Sequence, residues 1–213
     1  MHSIHDALTW RFATHAFDTA KKVSDTDIDA IAEAGNLMPT AYGLQPFRII
    51  SIADDAKKAK LLEATYGQTH YVENSHLFVL AIRTDIDAAM ISEYARRIET
   101  TRGFSEGSAS AFEDMMLGDI TNRPQDSLPA WATKQAYLAL GGMIAEASLR
   151  GIDSHVAEGF MPDAYDEMLG LREKNLHTVV IMAVGYRAAS PLDEQRKSAV
   201  KVRVPKEEMH IKL

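Results

Sequence analysis

Apolar positions along the chain switch between helical and strand-like spacing, and this pattern predicts most of the secondary structure. Ile28 and Ile31 recur at helical spacing behind Ser24, which is a suitable helix N-cap. Residues 77–82 are continuously apolar but too few for a core helix, so they predict a strand covered on both faces. Residues 177–184 predict a second buried strand. Strands separated by helices indicate one three-layer domain of the α/β or α+β class.

The same pattern predicts the remaining elements, with Gly and Pro marking their ends. Helices are expected at 3–9, 54–66, 85–102, 131–149 and 163–169, and strands at 47–52 and 152–157. In the helix at 54–66 we expect three lysines to lie on the solvated face: Lys57, Lys58 and Lys60. Residues 185–199 are predicted to be an irregular polar stretch. The charged segment 201–213 is predicted to extend over another surface, because it cannot form a core of its own.

The longest predicted helix, 131–149, is rich in small residues, including the pair Gly141 and Gly142. Glycines inside a helix lower its stability, so their presence indicates that a neighbouring helix packs closely. Two interpretations stay open at this point. The close neighbour could belong to the same chain, or it could belong to a second copy of the chain.

Composition excludes several classes of protein. The 213 residues suffice for one domain, 1–213, and the net charge of −7 disfavours nucleic acid and anionic membrane as partners. There are no cysteines, so thiol chemistry and disulfides are excluded and any redox chemistry needs a bound cofactor. No signal-peptide pattern or membrane-spanning apolar run is present, so we expect a cytoplasmic protein. The eight histidines show no H-E-x-x-H or comparable spacing, so no metal is predicted.

The loop at 37–48 joins a predicted helix to a predicted strand. It contains two prolines, a glycine, an amide and a hydroxyl, and Pro39 should end the preceding helix. A rigid loop with polar groups suits ligand binding, although on this stretch alone an ordinary connector is the simpler interpretation. Arg11 near one terminus, with Lys201 and Arg203 near the other, could converge on a phosphate, because guanidinium groups match phosphate oxygens.

Four segments, in this order, resemble the flavin-dependent nitroreductase family. They are R-F-A-T-H-A-F at 11–17, the Pro39 loop with Gln45-Pro46, E-G-F at 158–160, and K-V-R-V-P at 201–205. The similarity covers nearly the whole chain and is greatest to the subgroup of oxygen-insensitive NAD(P)H nitroreductases and dihydropteridine reductases. It implies an α+β nitroreductase fold: three α/β/α layers, a mixed central sheet and a domain-swapped C-terminal arm. It also implies a homodimer with two sites at its interface, the 131–149 helix packing there.

The resemblance implies FMN as cofactor and NAD(P)H, either NADH or NADPH, as reductant. The residues it assigns to the cofactor are Arg11, Phe12, Ala13, His15, Pro39, Thr40, Ala41, Gly43, Gln68, Glu158, Gly159, Lys201 and Arg203. Those it assigns to the acceptor pocket are Thr40, Tyr42 and Phe112. For Phe112, a plain core position is an equal alternative. Glu158 is expected to act through its backbone N–H, because its side chain has no partner visible in the sequence.

Four positions depart from the family pattern. Ala13 stands where a serine is usual, Gly43 where an asparagine is frequent, and His15 and His70 where cations are usual. The family cation at position 15 favours the anionic reduced flavin. Histidine is charged only below a pKa near 6.5, so we expect His15 to fill this role weakly or in a pH-dependent way.

The implied reaction is a ping-pong cycle in which NAD(P)H reduces FMN at N5 and a small-molecule acceptor then takes two electrons. Nitroaromatics, quinones and related compounds are the expected acceptors. No residue is assigned as an obligate catalytic acid or base, because the flavin carries the hard chemistry. Two alternatives stay open: a flavoenzyme for an enone, a pteridine or a halogenated ring, and a non-catalytic FMN-binding dimer.

Overall fold

The computed structural model describes residues 3–213. Its helices are α1 (Ile4–Trp10), α2 (Asp25–Asn36), α3 (Asp55–Lys60), α4 (Ala88–Arg102), α5 (Ser110–Ile120), α6 (Leu128–Leu149), α7 (Pro162–Met168), α8 (Pro191–Ser198) and α9 (Lys206–Met209). Its strands are β1 (Phe47–Ile52), β2 (His76–Arg83), β3 (Asp153–Ala157) and β4 (Leu176–Gly185). Within the described residues, no helix is long and apolar enough to cross a membrane.

The four strands form one sheet in the order β1-β2-β4-β3, and every neighbouring pair is antiparallel. The predicted α+β class is therefore confirmed. The expected mixed sheet is wrong for these strands. Among the residues described, a parallel pairing occurs only as a single bridge between Ala13, which lies outside the named strands, and Ser154 of β3.

The central strands explain why residues 77–82 are apolar without interruption. Alternate side chains of β2 enter two different clusters: Phe78 and Leu80 face one, and Leu77 and Val79 face the other. The first cluster is completed by α2, α4, α5 and α6, and the second includes Tyr165 of α7. Because both faces of the sheet are covered, a period-2 pattern cannot appear, as expected of a strand inside three layers.

Close packing of α2 against α6 accounts for one of the paired glycines. A Cβ atom at Gly142 would lie 2.7 Å from the Met38 side chain and 2.9 Å from the Ala34 carbonyl oxygen. Nothing lies within 4 Å of a Cβ at Gly141. Tight packing within one chain is therefore confirmed at Gly142, whereas Gly141 leaves room for a second molecule.

Two predicted stretches differ from the structure. Residues 185–199 are not irregular throughout, because α8 forms where the Ser190 hydroxyl accepts from the Asp193 N–H and Pro191 occupies the first turn. The helix predicted at 54–66 ends at Lys60. Glu63–Thr65 then form a separate short turn, which ends at Tyr66 in the left-handed region with φ 54°.

Lys58 is the clearest error in the predicted orientation of side chains. It is fully buried, whereas Lys57 and Lys60 are exposed as expected. Its ammonium group donates to the carbonyl oxygens of Asn74 and Ser75 and contacts the Asp55 carboxylate at 2.9 Å. A buried lysine is tolerated here because acceptors surround its charge. It fixes the end of the loop that leads into β2.

Candidate functional site

The segment that follows α1 is fixed along the β3 edge of the sheet. Ala13 forms a parallel bridge with Ser154, and the Thr14 hydroxyl donates to Asp153 at 3.3 Å. Further along, Phe17 forms an antiparallel bridge with Arg187. These contacts hold the backbone of residues 11–17 in place, so their side chains have a defined position.

Lys201 and Arg203, near the C-terminal end of the chain, lie close enough to Arg11 of this segment to affect its charge or to contact it. The Lys201 ammonium donates to the Arg11 carbonyl oxygen. Burial, and then the charge of Arg203, lower the pKa of Arg11. The pKa of Lys201 is lowered by burial first and then by Arg11 and Arg203. A pKa that neighbouring cations lower in this way indicates a local positive excess.

Within residues 3–213, the carboxylate that acts on Arg11 is already engaged by another arginine. Asp153 attracts Arg11, but its carboxylate is already paired with Arg187 and accepts from the Arg187 N–H at 3.0 Å. Among the described residues, the buried Nε of Arg11 has no hydrogen-bond partner. A buried donor left in this state is costly, so an anion with several oxygens fits the position.

Arg196 is a fourth cation at this site, and sequence reasoning missed it. Its guanidinium lies 3.2 Å from the Ala13 carbonyl oxygen and 3.0 Å from Nε2 of His15. It sits on α8, inside the stretch predicted to be irregular. The Ser190-Pro191 start signal could have revealed the helix. No sequence signal would have shown that this helix packs on residues 13–15.

His15 is held from two sides. Its backbone N–H donates to both oxygens of Asp193, at 3.0 and 3.2 Å, and the Ala16 N–H donates to the same carboxylate at 2.9 Å. Its ring lies 4.8 Å from the ring of His70 and 4.4 Å from that of His155, between centroids. The spacing of residues 15, 70 and 155 in the chain gave no hint of this group.

His70 does not carry the positive charge that is usual in the family at this position. Burial, and then the neighbouring His155, lower the pKa of His70 to about 4. Burial likewise lowers the pKa of His155 to about 4. Both rings are therefore neutral at pH 7, and the positive charge beside them comes from Arg196 and Arg11.

Two further predicted cofactor residues, 91 positions apart, also meet. The Gln68 amide donates to the Gly159 carbonyl oxygen at 3.3 Å and to the Thr65 carbonyl oxygen at 3.0 Å. The expectation that Glu158 lacks a side-chain partner is wrong, because the Tyr137 hydroxyl of α6 donates to its carboxylate. Burial, and then this hydrogen bond, raise the pKa of Tyr137.

The Pro39 loop belongs to a second, separate group. The Thr40 hydroxyl oxygen accepts from the Gln45 N–H at 3.3 Å, and the Ala41 N–H donates to the Gln135 amide oxygen of α6 at 2.8 Å. Pro39 itself is exposed. These bonds make the loop rigid, in agreement with the sequence-based expectation.

Tyr42 and Phe112, both predicted to line an acceptor pocket, lie together in this second group. Their rings meet edge to face with centroids 6.2 Å apart. The Tyr42 hydroxyl donates to Asp119 at 2.9 Å, and that hydrogen bond raises the pKa of Tyr42. Phe112 is partly buried against the core, so both interpretations of it are compatible with its position.

Gly43 has a structural reason to lack a side chain. Its φ is +80°, and a Cβ would lie 2.1 Å from the Tyr94 hydroxyl oxygen. Tyr94 therefore occupies the space into which an asparagine side chain at this position would project.

No hydrogen bond, salt bridge or aromatic contact between residues 3 and 213 joins the two groups directly. We call the first group the cation group, formed by residues 11–15 with Arg196, Lys201 and Arg203. The second we call the loop group, formed by residues 39–43 with Phe112. One chain thus presents two separate parts of the expected site.

The comparison with known families decides the assignment. Residues 8–186 match the model described as "Nitroreductase family". The chain belongs to the nitroreductase family. Two relatives of this nitroreductase are "Putative NAD(P)H nitroreductase SSP0379" of Staphylococcus saprophyticus, 33% identical, and "Putative NAD(P)H nitroreductase YfkO" of Bacillus subtilis, 34% identical. Each alignment covers 92% of this chain and 93% of the relative.

Solved structures agree with the fold of this nitroreductase. One titled as nitroreductase ydfN from Bacillus subtilis superposes with a TM-score of 0.85 at 17% identity, covering 98% of both chains. Another, from Exiguobacterium sibiricum and described as a complex with FMN, gives 0.82 at 17% identity, covering 100% of this chain and 98% of that one. At such low identity these likenesses establish the fold alone.

Proposed function

We propose that this nitroreductase is an FMN-dependent NAD(P)H oxidoreductase that reduces nitroaromatics, quinones or related acceptors by two electrons. The names of its relatives support the class of reaction. The FMN bound by a protein of the same fold supports the cofactor. The nature of the acceptor is inferred from the family alone.

The observation that carries the proposal is the positive excess of the cation group. Burial and then Arg203 lower the pKa of Arg11, and burial and then Arg11 and Arg203 lower the pKa of Lys201. The Arg11 Nε is buried without a partner among the described residues. A phosphate monoester supplies the missing charge and acceptor oxygens. The residues present therefore fit the 5′-phosphate of FMN.

The chain's own residues would divide the remaining tasks. Arg11, Lys201 and Arg203 bind the phosphate, and Arg196 adds a fourth positive charge beside them. His15 and Gln68 would hold the pyrimidine edge, and the backbone of Glu158 and Gly159 would hold the reacting edge. The other predicted contacts come from the two loops: Phe12, Ala13, Pro39, Thr40, Ala41 and Gly43.

FMN, when bound, supplies the two-electron chemistry between NAD(P)H and the acceptor. The protein positions both reactants and excludes water. Thr40, Tyr42 and Phe112 form the wall against which an aromatic acceptor stacks, and Tyr42 and Phe112 already lie edge to face. The bond from Tyr137 to Glu158 holds the turn that contains Gly159 against α6.

A homodimer would complete the site, because the cation group and the loop group do not meet within the described residues of one chain. The C-terminal arm supports this, since Val200 and Val202 are 91% and 89% exposed. Among residues 3–213, strand β1 lies at the edge of the sheet and pairs with β2 alone. Cavities of about 600 and 840 Å³, each lined by Arg48 and Ile49, adjoin β1. In such a homodimer the partner's arm would cover this edge and so prevent unwanted strand pairing.

Anaerobic reduction tests the proposal. The purified protein should be yellow, release FMN on denaturation, and bleach with NADPH or NADH when oxygen is absent. Adding a nitroaromatic or a quinone should then restore the oxidised spectrum. Bound flavin that NAD(P)H leaves oxidised would indicate a non-catalytic flavin-binding dimer. Reoxidation by enones or pteridines alone would indicate a different acceptor. A stable monomer in sedimentation would contradict the shared site.

A further inference from the structure

One arginine of α8 reaches back to the segment that follows α1 and lies against the histidine of that segment. The Arg196 guanidinium contacts both ring nitrogens of His15, with 3.0 Å to Nε2. It also lies 3.2 Å from the Ala13 carbonyl oxygen. His15 stands where a cation is usual in the family, so a positive charge is present at this point although a different residue carries it.

The position of Arg196 is fixed by the packing of its helix. Asp193 lies three residues earlier in α8 and is 2% exposed. Its carboxylate accepts from the N–H groups of His15 and Ala16, at 3.0 and 2.9 Å. Residues three apart lie on one face of a helix, so the face that carries Asp193 also presents Arg196 to residues 13–16. The fold therefore sets the place of this charge.

The hydrogen bonds of His15 indicate which of the two side chains is charged. Both nitrogens of a charged imidazole are donors, so a charged ring would turn an N–H toward each donor of the guanidinium. The contact with Arg196 therefore requires a neutral ring that accepts. A guanidinium, by contrast, stays charged at every pH near neutrality. The sequence-based expectation gave this charge to His15, whereas the geometry gives it to Arg196.

The two rings that lie against His15 carry no positive charge at neutral pH either. Burial first, and then neighbouring charges that include Arg196, lower the pKa values of His70 and His155 to about 4. The ring centroids lie 4.8 and 4.4 Å from that of His15. The positive charge at this end of the cation group thus comes from guanidinium groups, and Arg196 is the one in contact with His15.

We propose that the charge of Arg196 raises the reduction potential of bound FMN. This inference rests on the proposed function, in which His15 would hold the pyrimidine edge of the flavin. Hydride transfer oxidises NAD(P)H to NAD(P)⁺ and leaves the reduced ring system with one negative charge. A nearby cation stabilises that charged form more than the neutral oxidised form. Arg196 therefore favours reduced over oxidised FMN, and His15 orients the guanidinium that does so.

Four variants separate a local charge from a structural role. Arg196→Gln removes the charge and keeps a side chain that can donate a hydrogen bond, whereas Arg196→Lys keeps the charge. Lys197→Gln is the matched control, because it removes one positive charge from the next residue of the same helix. The Lys197 side chain is 55% exposed and pairs with Glu194 at 3.6 Å. His15→Gln removes the ring and keeps an acceptor for Arg196.

Anaerobic titration of the FMN-loaded, full-length protein against a redox dye of known potential tests the inference. In Arg196→Gln the preference for reduced over oxidised FMN should fall about tenfold, which lowers the two-electron midpoint potential by about 30 mV. Arg196→Lys should restore most of this loss. Lys197→Gln should match the wild type, and His15→Gln should lower the potential by less than Arg196→Gln does.

An unchanged potential in Arg196→Gln, an equal fall in Lys197→Gln, or a fall in Arg196→Lys as large as in Arg196→Gln would overturn the inference. A larger fall in His15→Gln would also overturn it, because the charge would then belong to the histidine. If Arg196→Gln binds FMN too weakly to be isolated as a complex, separate titrations with oxidised and reduced FMN give the same ratio of affinities.

The experiment also distinguishes this inference from the proposed function. A wild-type protein that binds no FMN would refute the proposed function, and this inference with it. Bound FMN that NAD(P)H reduces, with the same potential in the wild type and Arg196→Gln, would refute the role of Arg196 alone.

Discussion

The cation group and the loop group are prepared for a ligand in opposite ways. In the loop group the polar atoms of Thr40, Ala41 and Tyr42 already have partners, which are the Gln45 N–H, the Gln135 amide oxygen and the Asp119 carboxylate. In the cation group, Arg11 keeps a buried donor without a partner among the described residues. The loop group is already complete in its hydrogen bonds, whereas the cation group lacks an anion. We therefore expect changes in the cation group to act on ligand affinity, and changes in the loop group to act on stability.

The largest effect should follow from removing two charges of the cation group. In the double variant Arg11→Gln/Lys201→Gln, about two charge-assisted contacts are lost at roughly 1.5–3 kcal/mol each, so FMN affinity should fall about 10²- to 10⁴-fold. Fluorescence titration of flavin-free protein measures it. Arg172→Gln, a change at a 64% exposed arginine in a different salt bridge, is the control. Equal affinity in the double variant and the control would refute the phosphate assignment.

The next effect concerns the loop group. Gly43→Ala should destabilise the fold by about 2–4 kcal/mol, because left-handed strain is added to overlap with the Tyr94 hydroxyl. Gly67→Ala separates the backbone strain from the steric overlap, since Gly67 has φ +72° but nothing within 4 Å of a Cβ. It should cost about 1–2 kcal/mol. Urea unfolding measures both, and equal losses would show that the overlap has no effect.

A pH effect of intermediate size should come from the neutral histidines. The folded pKa of His155 is lowered from 6.5 to about 4, so between these values the unfolded chain binds more protons. Its stabilising contribution is complete above pH 6.5 and is lost as the pH falls toward 4. Between pH 7 and pH 5 the loss should be on the order of 1–2 kcal/mol for this group.

Unfolding of chelator-treated wild type and His155→Gln across this pH range isolates the His155 contribution. The wild type should lose more stability than the variant. Parallel pH dependence in the two proteins would show that His155 is already protonated in the fold or is not buried in solution.

The smallest effect should come from Tyr42→Phe. It removes one hydrogen bond to Asp119, which still accepts from Arg123 at 2.7 Å, and it keeps the ring against Phe112. We expect a stability loss of about 1 kcal/mol or less. The KM for a nitroaromatic should change little, whereas Phe112→Ala should raise it. If the two variants changed KM equally, the wall would act through the hydroxyl rather than the ring.

The sequence predicted the α+β class and the buried strands, because periodicity is a local signal. The approach of Lys201 to Arg11 was expected from the chemistry of the two end segments and from their resemblance to the family. It failed where tertiary contacts decide the outcome. Lys58 is buried because backbone carbonyls of a remote loop surround it. Arg196 reaches His15 because a polar helix folds back. The rings of His15, His70 and His155 lie against one another, although no spacing rule connects positions that far apart.

Buried Lys58 also gives the protein an internal reporter. Lysine-acylating reagents should label Lys57 and Lys60 quickly, because both side chains face solvent. Lys58 should react only when the loop that carries His70 detaches from α3. Mass spectrometry of labelled peptides, with and without added ligand, would then measure the rate at which this loop opens from the labelling of Lys58 alone.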